Sequence, residues 1–144
     1  MNAKLEHQRG FSLMELMAVL VVFGILVGFG LPNFQHYALS QKLHGTCENL
    51  VQTIQLQRSR AMATGQSVTL NFNTAAPAAW TVLGGGHSNV TPLPNDISYA
   101  SANPGSIILD RFGRVNTSGL VVFQNRTGTQ DTVSIELSGL ALIR

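Results

Sequence analysis

The sequence predicts an α+β fold in which a long N-terminal helix, its first half suited to a membrane, packs on a C-terminal antiparallel β-sheet domain. Three observations carry that expectation. Apolar residues are concentrated in Phe11–Leu31, where only Ser12 and Glu15 are clearly polar. An i, i+4, i+7, i+11 apolar series follows at Leu43, Cys47, Leu50 and Ile54, the spacing of one helix face. Beyond Gly65 apolar and polar residues alternate, the spacing of half-buried strands.

Composition narrows the field first. A chain of 144 residues suits one domain. It is 44% hydrophobic and 11% charged, against roughly 25% charged in an average soluble domain. The net charge of +2 makes no strong electrostatic case for an acidic partner. Cys47 is the one cysteine, which excludes an intrachain disulfide framework and a four-cysteine metal site.

The first ten residues are polar, with Lys4 and Arg9 set against Glu6, so the positive-inside rule keeps this end cytoplasmic. The run Phe11–Leu31 follows; as a helix rising about 1.5 Å per residue it spans roughly 30 Å, the thickness of a hydrocarbon core. Glu15 stands near its start. A buried acid is expensive, so Glu15 calls for a cationic partner. Gly10-Phe11 marks the junction before the apolar run, whereas a secretory signal is cut after its own. Gly24, Gly28, Gly30 and Pro32 lower helix propensity where this segment ends, and Pro32 is the expected kink.

Gly10-Phe11-Ser12-Leu13-Met14-Glu15-Leu16 closely resembles the class III signal of type IV prepilins and type II secretion pseudopilins. That resemblance implies cleavage after Gly10 by a prepilin peptidase and N-methylation of Phe11. It also makes Glu15 the fifth mature residue, paired with the N-terminal ammonium of a neighbouring subunit; opposite charges in a low dielectric offset each other's burial. Pro32 falls where pilins commonly carry proline.

The amphipathic helix is expected to run to about Ala63 and stop at Thr64-Gly65, with Arg58 and Arg60 in or near its last turns, where cations suit the helix dipole. Cys47 lies on its apolar face and reads as a small buried hydrophobe. Strands are expected at Ser67–Phe72, Ala79–Leu83 and Thr132–Leu137, which alternate, and at Ser106–Asp110 and Leu120–Phe123, short apolar runs of the buried kind. Gly84-Gly-Gly86-His87 reads as a flexible turn, lacking the residues of a phosphate loop. Gln57–Leu70 resembles the helix-to-strand junction of the GspH/FimT group of minor pilins and pseudopilins, which implies a pilin-like fold; Asp110–Arg114 fits the group's glycine turn. The expected organisation is a cleaved leader at 1–10, a transmembrane and filament-core helix at 11–31, an amphipathic helix at 32–64 and an antiparallel β domain at 65–144.

No catalytic constellation is legible, and neither a cofactor nor a metal is expected; His44 and Cys47 share a helix face, but a zinc site needs three or four donors. Some FimT-like pilins act as DNA receptors through a C-terminal Gly-Arg-x-Arg, which is broken here in Ser138–Arg144. From Gly65 onward Arg111, Arg114, Arg126 and Arg144 balance Asp96, Asp110, Asp131 and Glu136, a poor basis for phosphate neutralisation. Arg111, Arg114 and Arg144 are the candidates for that alternative function. The sequence therefore points to a minor pilin or pseudopilin that helps initiate or cap a type IV pilus or type II secretion pseudopilus. Its expected partners are other major and minor subunits, the prepilin peptidase and the inner membrane, with DNA in the alternative reading. The expected location is single-pass in a bacterial inner membrane with the β domain in the periplasm, then a periplasmic or surface filament.

Overall fold

The computed structural model describes residues 12–84 and 86–144, without the side chains of residues 29–33. One helix, α1 (Leu13–Thr64), precedes β1 (Val68–Asn73), β2 (Ala79–Gly84), β3 (His87–Pro92), β4 (Ile97–Asn103), β5 (Ser106–Leu109), β6 (Gly119–Asn125), β7 (Gln130–Ile135) and β8 (Ala141–Ile143). The chain divides into two compact units, one ending at His36 and the other beginning at Tyr37.

In the first unit, every described side chain of α1 is exposed through Gly28. The second unit uses its share of α1 differently. Leu43, Cys47, Leu50, Ile54 and Ala61 are buried, each one or more helical turns from the last, so a single stripe faces the strands. The buried Thr46 hydroxyl donates to the Lys42 carbonyl at 2.8 Å, satisfying itself within the helix. At the helix end the Gly65 N–H donates to the Ala61 carbonyl at 2.9 Å.

The strands form two four-stranded antiparallel sheets, ordered β3-β2-β1-β5 and β4-β6-β7-β8. Val68, Leu70 and Phe72 alternate inward on β1, and Val121 and Phe123 do so on β6. Both inner faces and the helix stripe share one hydrophobic core. Aromatic rings join the sheets: Phe72 of β1 meets Tyr99 of β4 at 6.5 Å between centroids, and Trp80 of β2 meets Phe123 of β6 at 6.4 Å. Edge-to-face pairs of this kind add to the burial of their area.

Three strands lie where the sequence pattern shows none. β3 is exposed on nearly every residue, so it lacks apolar alternation; β4 carries a register shift between Tyr99 and Ser101; β8 has three residues. Arg58 and Arg60 lie near the end of α1, although its final turn holds no basic residue, and Arg58 donates from Nε to the Gly113 carbonyl at 3.1 Å.

Candidate functional site

Glu15 stands in the first turn of α1, where a carboxylate suits the positive end of the helix dipole. Its side chain is exposed and heads a shallow groove of about 370 Å³ lined by Ala18, Val19, Val22, Phe23 and Leu26. These positions recur at helical spacing, so one acid terminates an otherwise apolar stripe. Gly10 and Phe11, the expected cleavage and methylation positions, lie outside the described residues. Pro32 lies within α1, which is continuous from Leu13 to Thr64, and its side chain is outside the description. Among the described residues no helix is long and apolar enough to cross a membrane. The expected span, Phe11–Leu31, includes residues outside that set.

Of the three candidate arginines of the alternative reading, Arg114 and Arg144 line different grooves. Arg111 and Arg114 belong to the turn between β5 and β6, with the Arg111 guanidinium 4.9 Å from the centroid of the Phe112 ring. Asp110 Oδ1 organises that turn by accepting from the N–H groups of Phe112 and Arg114, each at 2.8 Å. Arg114 lines one groove with Val115, Leu137 and Ser138, and Arg144 lines another that includes Glu136.

Arg58 is the junction residue whose partners the sequence could not name. Its side chain supports two tight turns, at Gly113 with φ +74° and at Gly139 with φ +78°. A Cβ on Gly113 would fall 3.0 Å from Arg58 Cγ, and one on Gly139 would meet the Gly113 carbonyl oxygen. Conformation favours glycine at both, and at Gly139 the backbone contact requires it by space as well.

Two polar ties bind the helix to the strands. Lys42 Nζ lies 2.7 Å from Asp96 Oδ2, with Arg126 Nη1 3.6 Å from Asp96 Oδ1. The hydrogen bond and charge of Lys42 hold the Asp96 carboxyl below its ordinary range, with Arg126 adding to the effect. His44 Nδ1 lies 3.0 Å from Asp131 Oδ2 and its Nε2 lies 3.6 Å from Glu48 Oε1. Cys47 is fully buried, and burial, reinforced by the Asp131 carboxylate, pushes its thiol up to about 12. A thiol so placed stays protonated near neutral pH and serves packing. Among the described residues no three His, Cys, Asp or Glu side chains are arranged to hold a metal.

Comparison with known proteins agrees with this architecture. Residues 6–31 match the prokaryotic N-terminal methylation motif, and residues 46–140 match the family of type II transport protein GspH. A fimbrial protein of Pseudomonas aeruginosa is 29% identical over 130 residues, covering 90% of this chain and 69% of the relative. Type II secretion system core protein G of Aeromonas hydrophila is 29% identical over 141 residues, covering 89% and 92%. The fold is similar to that of the minor pseudopilin EpsH from the type 2 secretion system of Vibrio cholerae, with a TM-score of 0.56 and 13% identity over 72% of this chain and 96% of that one. A helix leading into two antiparallel sheets, joined to a methylation motif and a GspH match over residues 46–140, places the chain in one family: it belongs to the GspH family of type II transport proteins.

Proposed function

We propose that this protein is a minor subunit of a type IV pilus or a type II secretion pseudopilus, matured by a prepilin peptidase after Gly10 and N-methylated at Phe11. The observation that carries the reading is the methylation motif over residues 6–31 joined to a GspH domain over residues 46–140. In this reading Phe11–Leu31 holds the precursor in the inner membrane with the β domain outside it, and the same apolar stripe packs among neighbouring helices in the filament. Glu15 pairs with the amino terminus of an adjacent subunit, which gives the stripe its register along the filament axis. A carboxylate and an ammonium attract strongly once water is excluded, and each removes the other's burial penalty. Pro32 is the point at which the helix loosens on leaving the membrane.

The role is structural and not enzymatic in this reading, as it is for a subunit whose distinguishing chemistry lies at its amino terminus. A DNA-receptor role is not favoured by the observation that Arg114 and Arg144 line different grooves and that Arg144 shares its own with Glu136.

Intact mass and N-terminal sequence of protein recovered from inner membranes, with and without the peptidase, test the proposal. The expected result is a chain beginning at methylated Phe11 only when the peptidase is present. A chain retaining residues 1–10, or one cut after residue 31, would overturn it. Replacing Glu15 by Leu is expected to leave the β domain folded and to remove the subunit from filaments.

A further inference from the structure

Asp110-Arg-Phe-Gly-Arg114 places two guanidinium groups and an aromatic ring on one short turn. The charges around it are segregated. Among the described residues every ion pair is formed by Lys42, His44, Glu48, Asp96, Arg126 and Asp131, at the stretch of α1 around residues 42–48. The turn lies instead where α1 stops, against Arg58 and Met62. Arg111 and Arg114 have no acidic partner there among the described residues. The two acids of this end are engaged otherwise: Asp110 Oδ1 accepts from two N–H groups of its own turn, and Glu136 Oε2 accepts from the Ser138 hydroxyl at 3.4 Å.

Phe112 is 66% exposed, yet the turn that carries it is firmly held. The Gly113 N–H donates to the Asp110 carbonyl and the Asp110 N–H to the Arg114 carbonyl, each at 2.9 Å. Arg58 holds the Gly113 carbonyl, and the Val115 N–H donates to the Leu137 carbonyl at 3.0 Å, which ties the turn to its neighbour. The Arg111 guanidinium rests over the Phe112 ring, a contact that favours the cation's place there. Arg114 borders a groove of about 450 Å³ whose other wall includes the exposed Leu137. Arginines beside an aromatic ring are the residues that dominate binding interfaces. A turn already fixed gives up little freedom when it binds.

We propose that this turn docks a different protein chain, through a face of that chain that carries carboxylates beside apolar groups. Arg111 and Arg114 receive the carboxylates, which a guanidinium matches in charge and in geometry. Phe112 and Leu137 receive the apolar groups. A second copy does not fit, because each of its own acids in residues 37–144 already has a polar partner. Asp96 has Lys42 and Arg126, Asp131 and Glu48 share His44, and Asp110 and Glu136 are held in their turns. Nucleic acid fits less well, since its affinity grows with the number of phosphates neutralised, and the charges from Gly65 onward balance. A patch that seeks carboxylates is not complementary to itself, so the contact is heterologous and lets subunits point one way. That the partner is a neighbouring filament subunit rests on the function proposed above.

Two measurements on the full chain test this. In detergent micelles, a short peptide of Glu and Tyr is titrated while NMR follows the backbone N–H groups of the turn. It is expected to bind about tenfold more tightly than the same peptide with Gln for Glu, two exposed charge pairs being at stake. Arg111→Glu with Arg114→Glu is expected to remove that preference, and Phe112→Ser to weaken both peptides. Arg111→Gln with Arg114→Gln repeats the test if charge reversal disturbs the turn. In cells making the other filament subunits, the double variant is expected to enter filaments about tenfold less than wild type, while Arg126→Glu enters normally. The docking proposal is overturned if the Glu peptide shows no preference, if the arginine variants bind it or enter filaments as wild type does, or if wild type self-associates through the turn. A single-stranded DNA oligonucleotide that binds the turn more tightly than the Glu peptide would overturn it in favour of nucleic acid. The filament reading is judged separately on the same cells: wild type that is not matured to Phe11 refutes that reading, and the peptide titration still decides the docking.

Discussion

The two stretches of α1 share one backbone and differ in what their side chains require. From Leu13 to Gly28 the apolar side chains are exposed on every face of the helix, Leu13 at 78% and Phe23 at 63% among them. From Tyr37 to Thr64 the buried apolar residues fall on one stripe, although Leu56 and Met62 stay exposed, and Leu50 and Ile54 are wholly removed from water within the core shared with the strands. An all-round apolar helix finds no cover in its own fold and needs a bilayer or neighbouring helices, whereas a striped one is completed by its own domain. The first stretch is thus free to exchange one apolar environment for another, which the proposed passage from membrane to filament demands. The second has already spent its apolar face on folding.

The sharpest way to break this comparison is to truncate one side chain in each stretch. Leu50→Ala is expected to lower the stability of the domain by roughly 2–5 kcal/mol, since it opens a cavity in a packed core. Val22→Ala is expected to change it by less than about 0.5 kcal/mol, while weakening filament incorporation. Urea unfolding followed by fluorescence of Trp80, the single tryptophan, reads both. Equal losses would mean that the two stretches are not energetically separate.

A second test stays within the domain and concerns the turns carried by Arg58. Gly139→Ala is expected to cost roughly 1–3 kcal/mol, combining a left-handed backbone with displacement of the neighbouring turn. Gly128 has φ +84° but open space around its Cβ position. Gly128→Ala isolates the backbone contribution, and a thermal midpoint lowered as far as that of Gly139→Ala would refute close packing of the two turns.

The smallest effect concerns the ion pair between helix and turn. Lys42 lowers the folded-state pKa of Asp96 below its unfolded value, so the stabilisation it lends is present above that unfolded value and fades as pH falls through the folded one. Between about pH 5 and the acid side of the ordinary aspartate range near 3.9, wild type is expected to lose thermal stability more steeply than Asp96→Asn. Parallel midpoint curves from circular dichroism would show that the pair is inert.

Much of this architecture was legible before any coordinates. Ser67–Phe72 and Ala79–Leu83 alternate because one face of each strand meets the core, and β1 and β2 lie there within a residue. The expected strand Thr132–Leu137 is displaced toward the N-terminus as β7, Gln130–Ile135, and Leu120–Phe123 proves to be the middle of a longer β6. At the candidate site, the isolated acid in an apolar run needed only the sequence to be noticed, because its burial cost is a property of the residue type.

Tertiary structure alone decided how the strands divide into two sheets and which edge stays open. β3 is exposed on both faces, so no apolar period announces it, and its status as an edge depends on which strands pair elsewhere. Arg58 looks like a helix-end cation until the chain returns 55 residues later to set Gly113 against it. Lys42 and Asp96 stand 54 residues apart in the same way. Local spacing records the face a residue turns to its own element, since that repeats every few residues. It keeps no record of a partner brought near by the closure of a long loop.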